Sequence, residues 1–353
     1  MKTIWINASR HYPVHIGGKI SSQVGALLKE TLPQAQKVFV LTEETVAKLY
    51  LSPVVNCLEQ AGFAVESYIV LAGENSKSGI QYLAGLEQLA NAKISRTDCI
   101  LALGGGVIGD LAGFLAATFL RGIAFVQVPT TLLAMVDSSV GGKVAINLAA
   151  GKNLAGTFYQ PHFVLCDTDM LNSLPAAIFA DGLAEVIKYA ALNSPDLLQI
   201  LEQEDMSAKM DEVIAICIDE KRILVEADES DKGQRQLLNF GHTVGHAIEK
   251  LENYTVSHGR AVAQGMIMET RAAVNMGLCA ETCFTRLVKL LEKYHLSAEK
   301  TYDAEKLYQA ALGDKKRAGD KITVVTPKTL GDCSLYTMQV EEMREWILVG
   351  VQA

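Results

Sequence analysis

The first half of the chain alternates short, β-rich apolar runs with segments of helical period. The runs are VFVL (38–41), VESYIVL (65–71), CILALG (99–104), IAFVQVP (123–129) and FVLCDT (163–168), and Glu43 to Ala61 and Ile80 to Ala92 carry helical spacing between them. Their alternation with helices predicts an α/β domain, a Rossmann-like parallel sheet with helices packed on its faces. Ligands in such sheets bind outside the carboxyl ends of the strands, so the loops after these runs are the candidate binding loops. The most apolar stretch, Leu111 to Leu120, stops at Arg121. It is too short to span a bilayer and suits a buried helix.

Beyond about residue 172 the pattern changes. LNSLP (171–175) reads as a turn, and the chain after it is helical, with little strand character before KITVVTP (321–327). The boundary is expected near residues 170–176. Residues 1–172 would form an α/β dinucleotide-binding domain and 173–353 an all-α domain for metal and substrate. The active site is expected in the cleft between them.

With 353 residues, two domains are the natural expectation. A net charge of −8 argues against nucleic acid as the main partner, yet leaves room for small anions held by a local cluster of Lys and Arg. The N-terminal MKTIWINASR lacks the apolar core of a signal peptide. Seven Cys are scattered singly with no CxxC, as in reduced core thiols. The expectation is a cytoplasmic protein with no membrane partner.

Three loops carry candidate chemistry in the first half. Gly104-Gly105-Gly106-Val107-Ile108-Gly109-Asp110 contains GxGxxG between a strand and a helix. Glycines admit a pyrophosphate close to the backbone, and the helix start offers free N–H groups. The loop comes after the third or fourth strand, and no acidic residue lies about twenty positions on to hold a ribose. It therefore reads as a dinucleotide loop in a sheet of non-standard order. Gly73-Glu74-Asn75-Ser76-Lys77-Ser78 and Pro129-Thr130-Thr131 lie after neighbouring strands and add a carboxylate, an ammonium and two hydroxyls.

The sharpest signal lies in the second half. His242 and His246 are spaced i,i+4, His258 opens the next segment, and Glu185 and Lys188 are spaced i,i+3 on an upstream helix. Two His and one carboxylate make a catalytic-type zinc set, and spacing leaves open which two His are ligands. Lys143, Lys152, Lys188, Lys221, Arg235 and the pair Lys315-Lys316 would together suit a substrate with more than one negative group.

GGGVIGDLAGFLAATFLRGI, VPTTLLAMVDSSVGGKVAINLAAGKNLAGTFYQP, LAEVIKYA and LLNFGHTVGHAIE resemble the 3-dehydroquinate synthase family, and the likeness runs through nearly the whole chain. The resemblance implies a homodimer that converts 3-deoxy-D-arabino-heptulosonate 7-phosphate to 3-dehydroquinate and phosphate, with catalytic NAD and a zinc or cobalt ion. On its motifs, Glu185, His242 and His258 match the metal ligands, leaving His246 near the substrate. Gly73, Glu74, Lys77, Gly105, Gly106, Val107, Ile108, Gly109, Asp110, Thr130, Thr131, Lys152 and the segment around Ser173 fall on the NAD positions. Asp137, Lys143, Asn153, Lys188, Lys221, Arg235, Asn239 and Lys315 match substrate contacts, and Arg121 matches a residue that reaches the partner subunit's phosphate site. Thr42 and Ser173 depart from the residues common in the family at the NAD loops. The rival readings are another sugar-phosphate cyclase, such as 2-deoxy-scyllo-inosose synthase, and a metal-dependent polyol dehydrogenase.

Overall fold

The strands β5 (Cys99–Gly104), β6 (Ala124–Pro129) and β9 (Val164–Asp167) are buried at every position. A parallel sheet covered on both faces accounts for such runs. In the computed structural model they sit inside a seven-stranded sheet with β1 (Lys2–Asn7), β2 (His11–Gly17), β3 (Lys37–Glu43) and β4 (Ala64–Val70). The order is β1-β2-β9-β6-β5-β3-β4, and every pairing is parallel except β1 with β2. This is not the standard dinucleotide-binding order. Because β3, β4, β5 and β6 run parallel, the loops after them emerge along one edge of the sheet. The structure describes all residues except 204, 298–299, 316–319 and 352–353, and only the backbone of 313–315.

The apolar run 111–120 lies largely in the helix Gly106–Thr118, where Ile108, Leu111, Ala112, Leu115 and Ala116 are buried. Each large apolar side chain there contributes about 1.5–3 kcal/mol on burial. Gly113 lets the helix approach a neighbouring hairpin, since a Cβ there would lie 2.3 Å from Val144 Cγ1. The predicted helix over 43–61 is Glu44–Gln60 with a π turn at Ala47–Leu51. Pro53 explains the interruption: it has no N–H to give and its ring crowds the preceding turn.

Two hairpins were not legible in the apolar pattern. One is β1–β2; the other pairs β7 (Lys143–Leu148) with β8 (Gly151–Phe158). β8 has no buried residue, and Gly156 sits where a Cβ would strike Val144 O at 2.2 Å. A strand with two glycines, several polar residues and no buried position has no apolar signature to read.

The chain divides into two compact units, Met1–Leu174 with Lys221–Ser230, and Pro175–Glu220 with Asp231–Ala353. The second unit is helical, as the pattern beyond 172 implied, and carries in addition one antiparallel hairpin of β10 (Lys321–Thr329) and β11 (Asp332–Gln339). Its core includes Trp346, Met343, Leu307, Val324 and Ile248. No helix among the described residues is long and apolar enough to cross a membrane.

Candidate active site

In the second unit, the helix Ala176–Asn193 is buried continuously from Gly182 to Leu192. Within this apolar stretch stand two charged residues, Glu185 at 0% exposure and Lys188 at 1%, and they form an ion pair across i,i+3. Lys188 Nζ also lies 4.8 Å from the Tyr189 ring centroid. Buried charges persist only where partners compensate them, and such an arrangement marks function more than stability.

Two further helices complete the cluster. His242–Leu251 begins after Gly241, which adopts φ +76 and where a Cβ would lie 2.6 Å from Val262 O. Both constraints demand glycine. The buried Glu269 accepts hydrogen bonds from Gly241 N at 2.9 Å and Val244 N at 3.3 Å, satisfying donors at this helix start. His242 Nδ1 lies 3.1 Å from Phe240 O; a carbonyl only accepts, so Nδ1 carries the proton and Nε2 keeps its lone pair. That Nε2 is 3.5 Å from Glu185 Oε1.

His258 is the first residue of the helix His258–Asn275. Asp181 Oδ1, one turn before Glu185, accepts from Gly259 N at 2.6 Å and Arg260 N at 3.3 Å. The face that presents Glu185 thus also caps the His258 helix. His258 Nε2 is 3.3 Å from Glu185 Oε1, and its Nδ1 is 3.6 Å from Glu249 Oε2. The His242 and His258 rings are 5.2 Å apart, and His246, more exposed, lies 5.4 Å from His242.

Burial pushes His242 down to about 3. Burial opposes protonation of His258 too, but the facing carboxylates of Glu185 and Glu249 outweigh it and raise that ring. Positive charge is therefore favoured at His258, between Glu185 and Glu249, while His242 stays neutral. The ligand atoms of Glu185, His242 and His258 all lie within 4.8 Å of one another. One carboxylate and two imidazoles at this spacing fit a divalent ion with coordination positions left open.

Arg235 and Asn239 lie on the turn Gln234–Asn239 leading into the His242 helix, Arg235 at 1% exposure. Lys315 ends the helix Ala304–Lys315; its side chain and all of Lys316 lie outside the described residues.

The first unit gathers most of the remaining candidates along the carboxyl edge of its sheet. Gly105 caps the helix Gly106–Thr118 with no side-chain hydrogen bond. A Cβ on Gly106 would lie 2.9 Å from Ser138 Oγ, and one on Gly105 would lie 3.1 Å from Thr131 Cγ2, so the bare loop fits against those side chains. Val107, Ile108 and Gly109 occupy the first turns of that helix. The buried Lys77 bridges Asp110 and Asn153. Burial raises the Asp110 carboxyl, against the pull of Lys77. Glu74 accepts from Asn147 Nδ2 at 2.7 Å, and Asn147 Oδ1 accepts from Asn153 N at 2.9 Å. Gly73 precedes this network at φ +101.

Thr42 and Thr130, at 0% and 3% exposure, have hydroxyls with no hydrogen-bond partner among the described residues. Buried hydroxyls at the ends of parallel strands are suited to a bound polar group, and a dinucleotide fits this edge. Ser173 Oγ lies 2.5 Å from Tyr50 OH. Lys221 Nζ donates to both Asp137 O and Asp137 Oδ1 at 2.8 Å. Lys143 opens β7 and Lys152 lies in β8. Arg121 is exposed between Leu120 and Gly122, all three at positive φ.

Sequence reasoning overlooked Asp181, Glu249, Glu269 and Asn147. Glu249 had a signal, since 242, 246 and 249 share one helix face. The other three act through tertiary contacts that spacing does not encode.

Residues 67–181 match the family model for the 3-dehydroquinate synthase N-terminal region, and residues 182–317 match that for its C-terminal region. A 3-dehydroquinate synthase of Clostridium perfringens is 48% identical over 291 residues, covering 80% of this chain and 83% of the relative. The chain belongs to the 3-dehydroquinate synthase family. A family member from Enterococcus faecalis is 43% identical over 339 residues, covering 93% of this chain and 95% of the relative. Among solved structures, 2-deoxy-scyllo-inosose synthase complexed with carbaglucose-6-phosphate, NAD+ and Co2+ superposes with a TM-score of 0.87 at 25% identity, covering 98% of this chain and 99% of that one. The shared fold thus extends beyond 3-dehydroquinate synthases, while the higher sequence identities are to that family.

Proposed function

We propose that this chain converts 3-deoxy-D-arabino-heptulosonate 7-phosphate to 3-dehydroquinate and phosphate as a homodimer, using NAD as a recycled cofactor and one divalent ion, zinc or cobalt. The observation that carries the reading is the convergence of Glu185, His242 and His258 beside the buried Lys188. When bound, the ion supplies Lewis acidity toward the hydroxyl to be oxidised, and NAD supplies reversible hydride storage. The substrate passes through oxidation, loss of phosphate, reduction, ring opening and an intramolecular aldol closure.

Glu185, His242 and His258 hold the ion. Thr42, Gly73, Glu74, Lys77, the Gly105–Asp110 loop, Thr130, Thr131, Lys152 and Ser173 hold NAD. Lys188 presents an ammonium next to the ion site, where it stabilises a developing alkoxide. Arg235 supplies a rigid fork for the substrate carboxylate, and Asn239 and His246 add further hydrogen-bonding groups for the substrate. Lys143, Asn153, Lys221, Asp137 and Lys315 contact the substrate, and Arg121 reaches the partner subunit's phosphate site. These groups hold one substrate in reactive geometry while proton and hydride transfers proceed, which is the protein's share of such chemistry.

The likeness to 2-deoxy-scyllo-inosose synthase favours a second reading, a cyclase acting on a hexose phosphate. Offering the zinc-loaded protein and NAD each phosphate ester in turn separates the two. Phosphate release from the seven-carbon ester alone supports the synthase, and release from glucose 6-phosphate alone refutes it.

A further inference from the structure

His242 and His258 both turn Nε2 toward Glu185 but anchor the opposite nitrogen differently. His242 directs Nδ1 to a main-chain carbonyl, Phe240 O, at 3.1 Å. His258 directs Nδ1 to a side chain, Glu249 Oε2, at 3.6 Å. Glu249 is 3% exposed and stands seven residues after His242, on the same face of the same helix. A carboxylate is costly to bury, and neither the donor set nor the helix cap at Gly259 requires this one. At 3.6 Å the contact is electrostatic rather than a hydrogen bond, and it still selects the ring's form, because a carboxylate facing Nδ1 favours the proton there.

We propose that Glu249 is the positioning residue for His258. It holds the proton on Nδ1, orients the ring, and so leaves the Nε2 lone pair aimed at the ion site shared with Glu185. Carboxylates behind metal-binding imidazoles tune ligand basicity and geometry in this way. The inference rests on the metal-site reading above and adds a residue to it. One competing arrangement exists, since His246, Glu249 and His258 also bring three ligand atoms within 4.8 Å of one another, which would make Glu249 a ligand itself.

The test compares wild type, Glu249→Gln and Glu249→Asp as full-length proteins without reference to turnover. Two quantities are read: zinc affinity by competition with a chromophoric chelator, and the visible bands of the cobalt-loaded protein. Glu249→Gln should weaken zinc binding by about 10–100-fold and keep the cobalt band pattern. Glu249→Asp should recover part of the affinity, which a purely structural defect would not do. Unchanged zinc affinity in both variants overturns the proposal. A cobalt spectrum showing a lost ligand in Glu249→Gln overturns it in favour of direct coordination. Absence of zinc and cobalt binding by wild type overturns the metal-site reading itself, and the role of Glu249 with it.

Discussion

Asp181 holds the backbone of Gly259 at 2.6 Å, one residue after His258 and one helical turn before Glu185. Two proposed ion ligands from distant parts of the chain are therefore registered by one short contact. Asp181→Ala removes the acceptor for Gly259 and Arg260 and should cost about 1 kcal/mol in stability, with weaker zinc binding. Asp181→Asn keeps one acceptor oxygen and should lie close to wild type. Urea unfolding and chelator competition check both.

Gly259 offers a sharper test of the same contact. A Cβ there would sit 2.0 Å from Asp181 O, which is main chain and cannot swing aside. Gly259→Ala should destabilise the protein by about 2–3 kcal/mol through forced backbone displacement. A thermal midpoint within a degree of wild type would contradict the packing.

Lys188 separates ion binding from chemistry. It neutralises Glu185 but brings no lone pair to an ion while protonated. Lys188→Met should keep zinc binding while kcat falls by about 100-fold or more. Zinc titration beside steady-state kinetics reads the split, and parallel loss of both would contradict it.

Lys77 and Asp110 form an ion pair in which the lysine is buried and the carboxylate half-buried. Lys77→Met leaves the half-buried Asp110 carboxylate without its cation and should destabilise by about 1–3 kcal/mol. The double variant Lys77→Met, Asp110→Asn should recover more than half of that loss, because no orphaned charge remains. NAD affinity is expected to fall in both variants.

The range of each interaction decides how much of the fold and the site was legible in the sequence. The runs at β5, β6 and β9 were readable because a strand buried on both faces is largely apolar. β2 was hidden by Pro13, which the fold tolerates because it lies just ahead of the first residue paired to β9, Val14. His242, His246, Glu185 and Lys188 stood out through helical spacing, a local property. Asp181 and Glu269 did not, because each caps a helix remote from it in sequence. Long motif resemblance supplied the substrate, which neither spacing nor composition could name.

Asp98 predicts the acid limb of stability. It accepts from Ser95 N at 2.7 Å, Lys37 N at 2.8 Å and Gln36 N at 3.1 Å. Burial alone would raise this carboxyl, but those bonds outweigh it and hold it below the ordinary 3.8. The linked stability is complete above the ordinary value and is lost as pH falls through the lowered folded value. Urea midpoints of wild type should therefore drop below about pH 4, and Asp98→Asn should lack this component.

The central claim is that NAD is recycled within each turnover. The most direct measurement supplies zinc-loaded protein with excess 3-deoxy-D-arabino-heptulosonate 7-phosphate and substoichiometric NAD, then tracks phosphate, 3-dehydroquinate and nicotinamide absorbance together. Many equivalents of phosphate and 3-dehydroquinate per NAD, with no net change in nicotinamide absorbance, are expected. Reduced nicotinamide accumulating in step with substrate, or no phosphate at all, would contradict the account.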